Sequence, residues 1–212
     1  MEDVLDLYAE PYDAHFPVVC FDERPCFLIA DVLTPIPLGP GRPSRHDYEY
    51  EKRRSANVFG FLEPKTGQRH LRVTERRTKQ DFAHTIDHLL TELYPTATKV
   101  RLVLDNLNTH TLAALYDTFP AKKARRLARR LEFHFTPKHG SWLNAVELEF
   151  AALSKQCLDR RIGSREELTT EVTAWCHARN LTASPIDWRF DTPTARRKLK
   201  RVYPELDEPN QS

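Results

Sequence analysis

Along the first seventy-odd residues the apolar positions come in short runs broken by turn signals. Phe16-Pro-Val-Val-Cys-Phe-Asp22 and Cys26-Phe-Leu-Ile-Ala-Asp-Val-Leu33 are β-branched and aromatic, and Glu23-Arg-Pro25 between them reads as a turn, so two neighbouring strands are predicted. Residues 34–47 are proline-rich with two glycines and continue neither strand nor helix. Asn57–Leu62 and Arg69–Thr74, joined by Glu63-Pro-Lys-Thr-Gly67, predict two more strands in an antiparallel meander.

At Thr78 the period changes. Phe82, Ile86, Leu89, Leu90 and Leu93 share one helical face, with Thr78 as N-cap and Pro95 just past the end. Lys99–Asp105 is an almost continuous apolar run, as expected of a central strand covered on both faces. A helical stretch from Thr111 to Leu131, broken near Pro120, leads to a strand at Leu131–Phe135. Asn144 reads as the cap of a helix carrying Val146, Phe150, Leu153 and Cys157, and Ser164-Arg-Glu-Glu167 as a capping box before Leu168, Val172 and Trp175. The order predicts an α/β domain: a mixed sheet of about five strands flanked by helices, the first three a meander and the later ones joined through helices. A ribonuclease-H-like domain has this order, and other α/β folds can be cut from it.

Composition narrows the setting. With 212 residues and 40% apolar content the chain can bury a sizeable core without disulfides or metal. Cys20, Cys26, Cys157 and Cys176 lack a CxxC pair or metal-ligand spacing and read as reduced thiols. No apolar run approaches the roughly 18 residues of a membrane span, and Met1-Glu-Asp-Val lacks a signal peptide's basic start, so a cytoplasmic location without membrane contact is expected. Net charge is only +2, yet Lys122–Arg130 packs six cations into nine residues and Arg196–Arg201 five into six. Such blocks suit a polyanion partner, or are simply solvated helix faces.

Carboxylates carry the candidate chemistry. Asp22 and Asp105 each end an apolar run, and the carboxyl ends of strands are where α/β sheets bind ligands. Two such groups can share a hard cation such as Mg²⁺; equally, each can be an ordinary turn or cap residue. Glu147 lies three residues after Asn144, the offset of a capping box, or it points along the sheet toward the strand ends. Glu149, rotated about 200 degrees further on, is expected to face solvent.

Asp22-Glu23 after a strand, Asp105-Asn-Leu-Asn-Thr-His110, and Phe135-Thr-Pro-Lys-His-Gly-Ser-Trp-Leu-Asn-Ala-Val-Glu147 together resemble the three catalytic blocks of the DDE transposases in the mariner-like bacterial insertion-sequence group. The third block, a Pro and then Ser-x-Leu-Asn-x-x-Glu opening a helix, is the most specific. The resemblance runs from about Phe16 to Pro204. It implies a ribonuclease-H-like core in which Asp22, Asp105 and Glu147 hold two divalent metal ions, Mg²⁺ or Mn²⁺. Such an enzyme cuts DNA at the transposon ends and joins the freed 3′-hydroxyls to target DNA. It also implies DNA as partner, a homodimer that brings two ends together, and a nucleoid-associated location.

On that reading Arg125, Arg126, Arg129 and Arg130 become candidate backbone contacts, and Lys138 and His139 candidate phosphate contacts. Trp142 either stacks on an unpaired base or packs on the core, and His110 either contacts DNA or a metal-bound water or is a structural histidine. Forty-one residues separate Asp105 from Glu147, longer than the family's usual interval, and the excess coincides with the basic helical segment. The expected organisation is a lead-in over 1–15, the catalytic domain over 16–204 and a flexible tail over 205–212. No N-terminal helix-turn-helix domain precedes the core, so terminal-repeat recognition is expected in a separate upstream DNA-binding partner or a lost segment. Two alternatives stand beside this one: a non-catalytic DNA-binding or assembly remnant, and a small-molecule phosphohydrolase, which would lack the usual Asp-x-Asp or glycine-rich phosphate loop.

Overall fold

The computed structural model describes residues 1–33, 39–41 and 49–199. Most of the proline-rich segment, the last two cations of the C-terminal block and the tail at 205–212 therefore lie outside the described residues. Five strands, β1 (Val18–Asp31), β2 (Tyr50–Glu63), β3 (Gln68–Thr74), β4 (Val100–Leu104) and β5 (Leu131–Phe135), form one sheet in the order β3-β2-β1-β4-β5. The first three make the antiparallel meander, and β4 and β5 run parallel to β1. The helices are α1 (Glu2–Ala9), α2 (Lys79–His88), α3 (Leu112–Thr118), α4 (Ala121–Ala128), α5 (Val146–Gln156), α6 (Arg165–Leu181) and α7 (Thr192–Lys198).

The two N-terminal apolar runs are one long strand, which corrects the turn expected at Glu23-Arg-Pro25. Only Val18–Cys20 pair with β4, so at Pro25 β1 is laddered on one side among the described residues, and an edge tolerates proline. The cap at Thr78 is as expected: its hydroxyl accepts from the Asp81 amide while the Asp81 carboxylate accepts from the Thr78 amide. That helix ends in a π-helical turn, Leu89–Leu93.

Alternation along the strands divides the interior into two cores. Val19, Phe21, Phe59, Phe61, Leu102 and Leu104 face α2, α3 and α4. Val18, Cys20, Val58, Leu62 and Val103 face α1, α5, α6 and α7. Burial on both sides of the central strands explains why Val100–Leu104 is apolar without alternation.

Two details set how closely α5 approaches the sheet. At Gly60 a Cβ would lie 2.8 Å from the buried Phe150 ring of α5 and 3.2 Å from Leu71, so the missing side chain is the space that ring occupies. The first fifteen residues supply the other detail, for they contain α1, whose Val4, Leu5, Leu7 and Tyr8 are buried. The Tyr8 hydroxyl donates to the Leu143 carbonyl at 2.8 Å and accepts from the Ala145 amide at 3.3 Å, holding the turn that enters α5.

Gly60→Ala is expected to force Phe150 off its seat and lower stability by about 1–3 kcal/mol, the usual cost of overpacking. Urea unfolding of the two proteins side by side measures it, and an unchanged midpoint would count against this account of the α5 contact.

Candidate functional site

Strand register builds the site. Val18, Val19 and Cys20 pair in parallel with Arg101, Leu102 and Val103. Carried forward two residues, the same register sets Asp22 beside Asp105, on neighbouring strands about 4.8 Å apart. Asp22 shares the face of Val18 and Cys20, and Asp105 that of Val103, which is the face covered by α5. Glu147 lies in the first turn of α5. Asp22 is therefore inside β1 rather than at its end, and it acts as a strand-end residue only relative to the shorter β4.

The Asp22 carboxyl shows the effect of this gathering. Burial pushes its pKa up to about 7, the charges of Glu147, Asp105 and Glu23 add to the rise, and the Glu23 amide bond opposes it. The three acids thus share one electrostatic neighbourhood. Among the described residues, no three His, Cys, Asp or Glu side chains are drawn together tightly enough to hold a metal ion.

Each of the two aspartates has a holder. The Glu23 amide donates to Asp22 Oδ1 at 2.8 Å, and Asn144 Nδ2 donates to the Phe21 carbonyl at 2.8 Å and lies 3.4 Å from Asp22 Oδ2. Asn144 is thus not the cap of α5, whose N-cap is Ala145 without a side-chain bond; of the two readings of Glu147, the capping box with Asn144 does not form. Asp105 Oδ1 meets His110 Nδ1 at 2.6 Å, and the other ring nitrogen lies 2.9 Å from Glu23 Oε2. That second approach is off-line for a directed hydrogen bond, so charge carries it more than geometry. A ring with a carboxylate at each nitrogen needs both N–H groups. Burial alone would lower its pKa, but Asp105 and Glu23 raise it to about 9. His110 is 1% exposed and has no surface to offer DNA.

The structure sorts the remaining candidates. Lys138 and His139 are exposed beside Asp105 in a cleft of about 630 Å³ that also takes in Asn106, Leu107 and Ser141. Their loop is tight: His139 is in the left-handed region at φ 62°, and the Gly140 amide donates to the Pro137 carbonyl. Trp142 is 46% exposed, with its ring edge-on to Phe190 at 5.4 Å, so it neither enters the core nor stands free. Arg125, Arg126 and Arg129 are exposed on or just past α4, which feeds the start of β5, at the opposite end of the parallel strands from Asp105. Arg130 serves the fold, donating to the carbonyls of Leu90, Tyr94, Pro95 and Ala97. Glu149, expected in solvent, is buried between Arg69 at 2.9 Å and Arg179 at 3.0 Å, because α6 closes over that side of α5. Glu23 and Tyr8 were given no role of their own by the sequence, and Asn144 only that of a helix cap. Only Glu23 carried a local signal, since it shares the parity of Val19 and Phe21 on a core-facing strand.

Because the folded state holds the Asp22 proton more tightly than the unfolded chain, the stability this confers is complete below about pH 4 and is lost as pH rises through about 7. In chelator-treated buffer, Asp22→Asn should therefore gain on wild type by about 4 kcal/mol between pH 4 and pH 8. Parallel denaturation series test this, and a pH-independent difference would mean the carboxyl is not strained.

Comparison with known proteins adds the family. The DDE superfamily endonuclease profile matches residues 17–169, well over half of the 212-residue chain. The Mos1 strand transfer complex is similar at TM-score 0.56 and 16% identity, over 82% of this chain and 51% of that one. The Mos1 transposase paired-end complex with left transposon end gives 0.56 and 17% over 82% and 52%, and the Mos1 mariner paired-end complex with Mn gives 0.54 and 17% over the same shares. The likeness is one of fold, the expected ribonuclease-H-like α/β architecture, and the chain spans about half the length of the Mos1 chains it matches. No match is found among curated proteins. With the profile spanning all three acids of the shared neighbourhood, the chain belongs to the DDE superfamily endonuclease family.

Proposed function

We propose that this chain is the catalytic core of a transposase that cuts DNA at transposon ends and joins those ends to target DNA. The observation that carries this reading is the pairing register that sets Asp22 beside Asp105 under the helix bearing Glu147, with the Asp22 carboxyl raised by burial and further by the charges of the other two. In this reading Asp22, Asp105 and Glu147 are the catalytic carboxylates and hold two divalent ions, Mg²⁺ or Mn²⁺. The donor chemistry fits: hard cations take carboxylate oxygens, and a cation there would offset the burial and the neighbouring charges that raise the Asp22 carboxyl. The solved Mos1 complex with Mn supports the same class of ion.

When bound, such ions would activate the attacking oxygen and neutralise charge on the phosphate. The chain's own part is to hold and orient. Asn144 and the Glu23 amide fix Asp22, His110 fixes Asp105, and the Tyr8 and Gly60 contacts set where α5 presents Glu147. Water attacks phosphorus, the P–O3′ bond breaks, and the 3′-oxygen leaves as a hydroxyl opposite a 5′-phosphate; that hydroxyl then attacks a target phosphodiester, forming a new P–O bond as the target's own 3′-oxygen leaves with the proton, with no covalent protein intermediate. Lys138 and His139, exposed beside Asp105, would meet phosphates there, and half-exposed Trp142 lies on the same loop for stacking on a base. Arg125, Arg126 and Arg129, at the far end of the sheet, would serve a more distant stretch of duplex by charge alone. Because one similar structure is a Mos1 transposase paired-end complex with left transposon end, a homodimer is proposed, with end recognition in a further DNA-binding segment or partner. No helix among the described residues is long and apolar enough to cross a membrane, and work on DNA would place the protein at the nucleoid.

The test is nicking and strand transfer on DNA carrying the element's ends. Mg²⁺ or Mn²⁺ should be required, and Asp105→Asn or Glu147→Gln should each lower the rate by at least about 100-fold. Cleavage that survives both substitutions would remove the reading. DNA binding that is identical with and without metal, and never accompanied by cleavage, would favour a non-catalytic remnant.

A further inference from the structure

We propose that Glu23 and His110 form a buried brace that positions the Asp105 carboxylate, an inference that rests on reading Asp105 as a metal ligand.

Asp105 needs such a device. It lies one residue past β4, outside the ladder, and its side chain is 34% exposed, so neither backbone pairing nor close packing sets its rotamer. Its one described side-chain contact is the 2.6 Å approach of Oδ1 to His110 Nδ1. The histidine itself cannot swing. The His110 amide donates to the Leu107 carbonyl, closing the turn, and the ring is packed against Phe21 at 5.2 Å and Phe82 at 5.0 Å. Behind it stands Glu23, 2.9 Å from Nε2, with a side chain only 2% exposed.

Strand geometry explains the source of that anchor. Asp22 and Glu23 are successive residues of β1 and point to opposite faces of the sheet. One residue offers its carboxylate on the α5 face; the next reaches through the aromatic core, by way of His110, to hold the neighbouring carboxylate. β1 thereby sets both aspartates of the row.

Stability alone does not account for the arrangement. A buried charged pair among Phe21, Phe59, Phe61 and Phe82 is no more stabilising than apolar side chains of similar volume would be. Orienting groups behind a metal ligand, in contrast, are typically worth 10–100-fold in metal affinity.

The experiment is Mn²⁺ titration, followed by paramagnetic resonance or calorimetry, on four versions of the whole chain, each with its melting temperature. These are wild type, Asp105→Asn, Glu23→Gln, and Glu23→Leu combined with His110→Phe. The apolar pair fills the same space and should keep the fold, and Glu23→Gln is near-isosteric and decides the matter should the pair not fold. Both are expected to weaken Mn²⁺ binding by about 10–100-fold while remaining folded. A merely structural brace would lower the melting temperature and leave the affinity of the folded molecules at the wild-type value, which would overturn the inference. If Asp105→Asn binds Mn²⁺ as wild type does, or wild type binds none, the metal reading itself fails. If Asp105→Asn loses binding and the brace variants keep it, only the brace fails.

Discussion

The structure depends on a short parallel pairing, Val18–Cys20 of β1 against Arg101–Val103 of β4. Side-chain direction alternates along a strand, so a slip of one residue would send every side chain of β4 to the other face. Val103 would leave the α5 core, Leu102 and Leu104 would leave the α2 core, and Asp105 would turn away from Asp22. The hydrophobic burial that forbids this slip therefore also fixes the two acids in one row. The core thereby decides which face each acid takes, and leaves only the rotamer of Asp105 to its contact with His110.

Burying an acid and gathering others around it has an electrostatic cost, which appears in the lifted Asp22 carboxyl. The surroundings contain it in two different ways. Asp22 is held by neutral donors, the Glu23 amide and Asn144, which orient it without cancelling its charge. Asp105 is held by an imidazole that a second, buried carboxylate backs. The two acids share one face of the sheet, while the groups that hold them come from the two faces of β1, Asn144 on the α5 side and Glu23 with His110 on the other.

Elements remote in sequence do much of the placing. Tyr8 of α1 bonds the backbone that enters α5, 135 residues away, and Gly60 gives the Phe150 ring the space that lets α5 sit down on the sheet. On the far side of α5, the Arg69–Glu149–Arg179 cluster ties it to β3 and α6, and Asn180 bonds the amide and carbonyl of Arg69 on an edge strand. Glu147 is thus delivered by a helix clamped at its entry, along its apolar face and on its flank.

Local patterns were enough for the meander, the capped helix at Thr78, the central apolar strand and the order of elements, because burial periodicity and cap chemistry act within a few residues. The three acids were legible through their sequence blocks. The joining of two apolar runs into one strand was not legible, since Pro25 reads as a break until β1 is seen to be laddered on one side there among the described residues. Nor was the fate of Glu149 and Asn144, whose partners come from other elements. By itself the sequence determined which segments form strands and helices and which residue types can do chemistry. The tertiary structure alone decided which carboxylate stands beside which, what holds each one, and that much of the basic block lies at the other end of the sheet, because register and packing are relations between segments that no single segment contains.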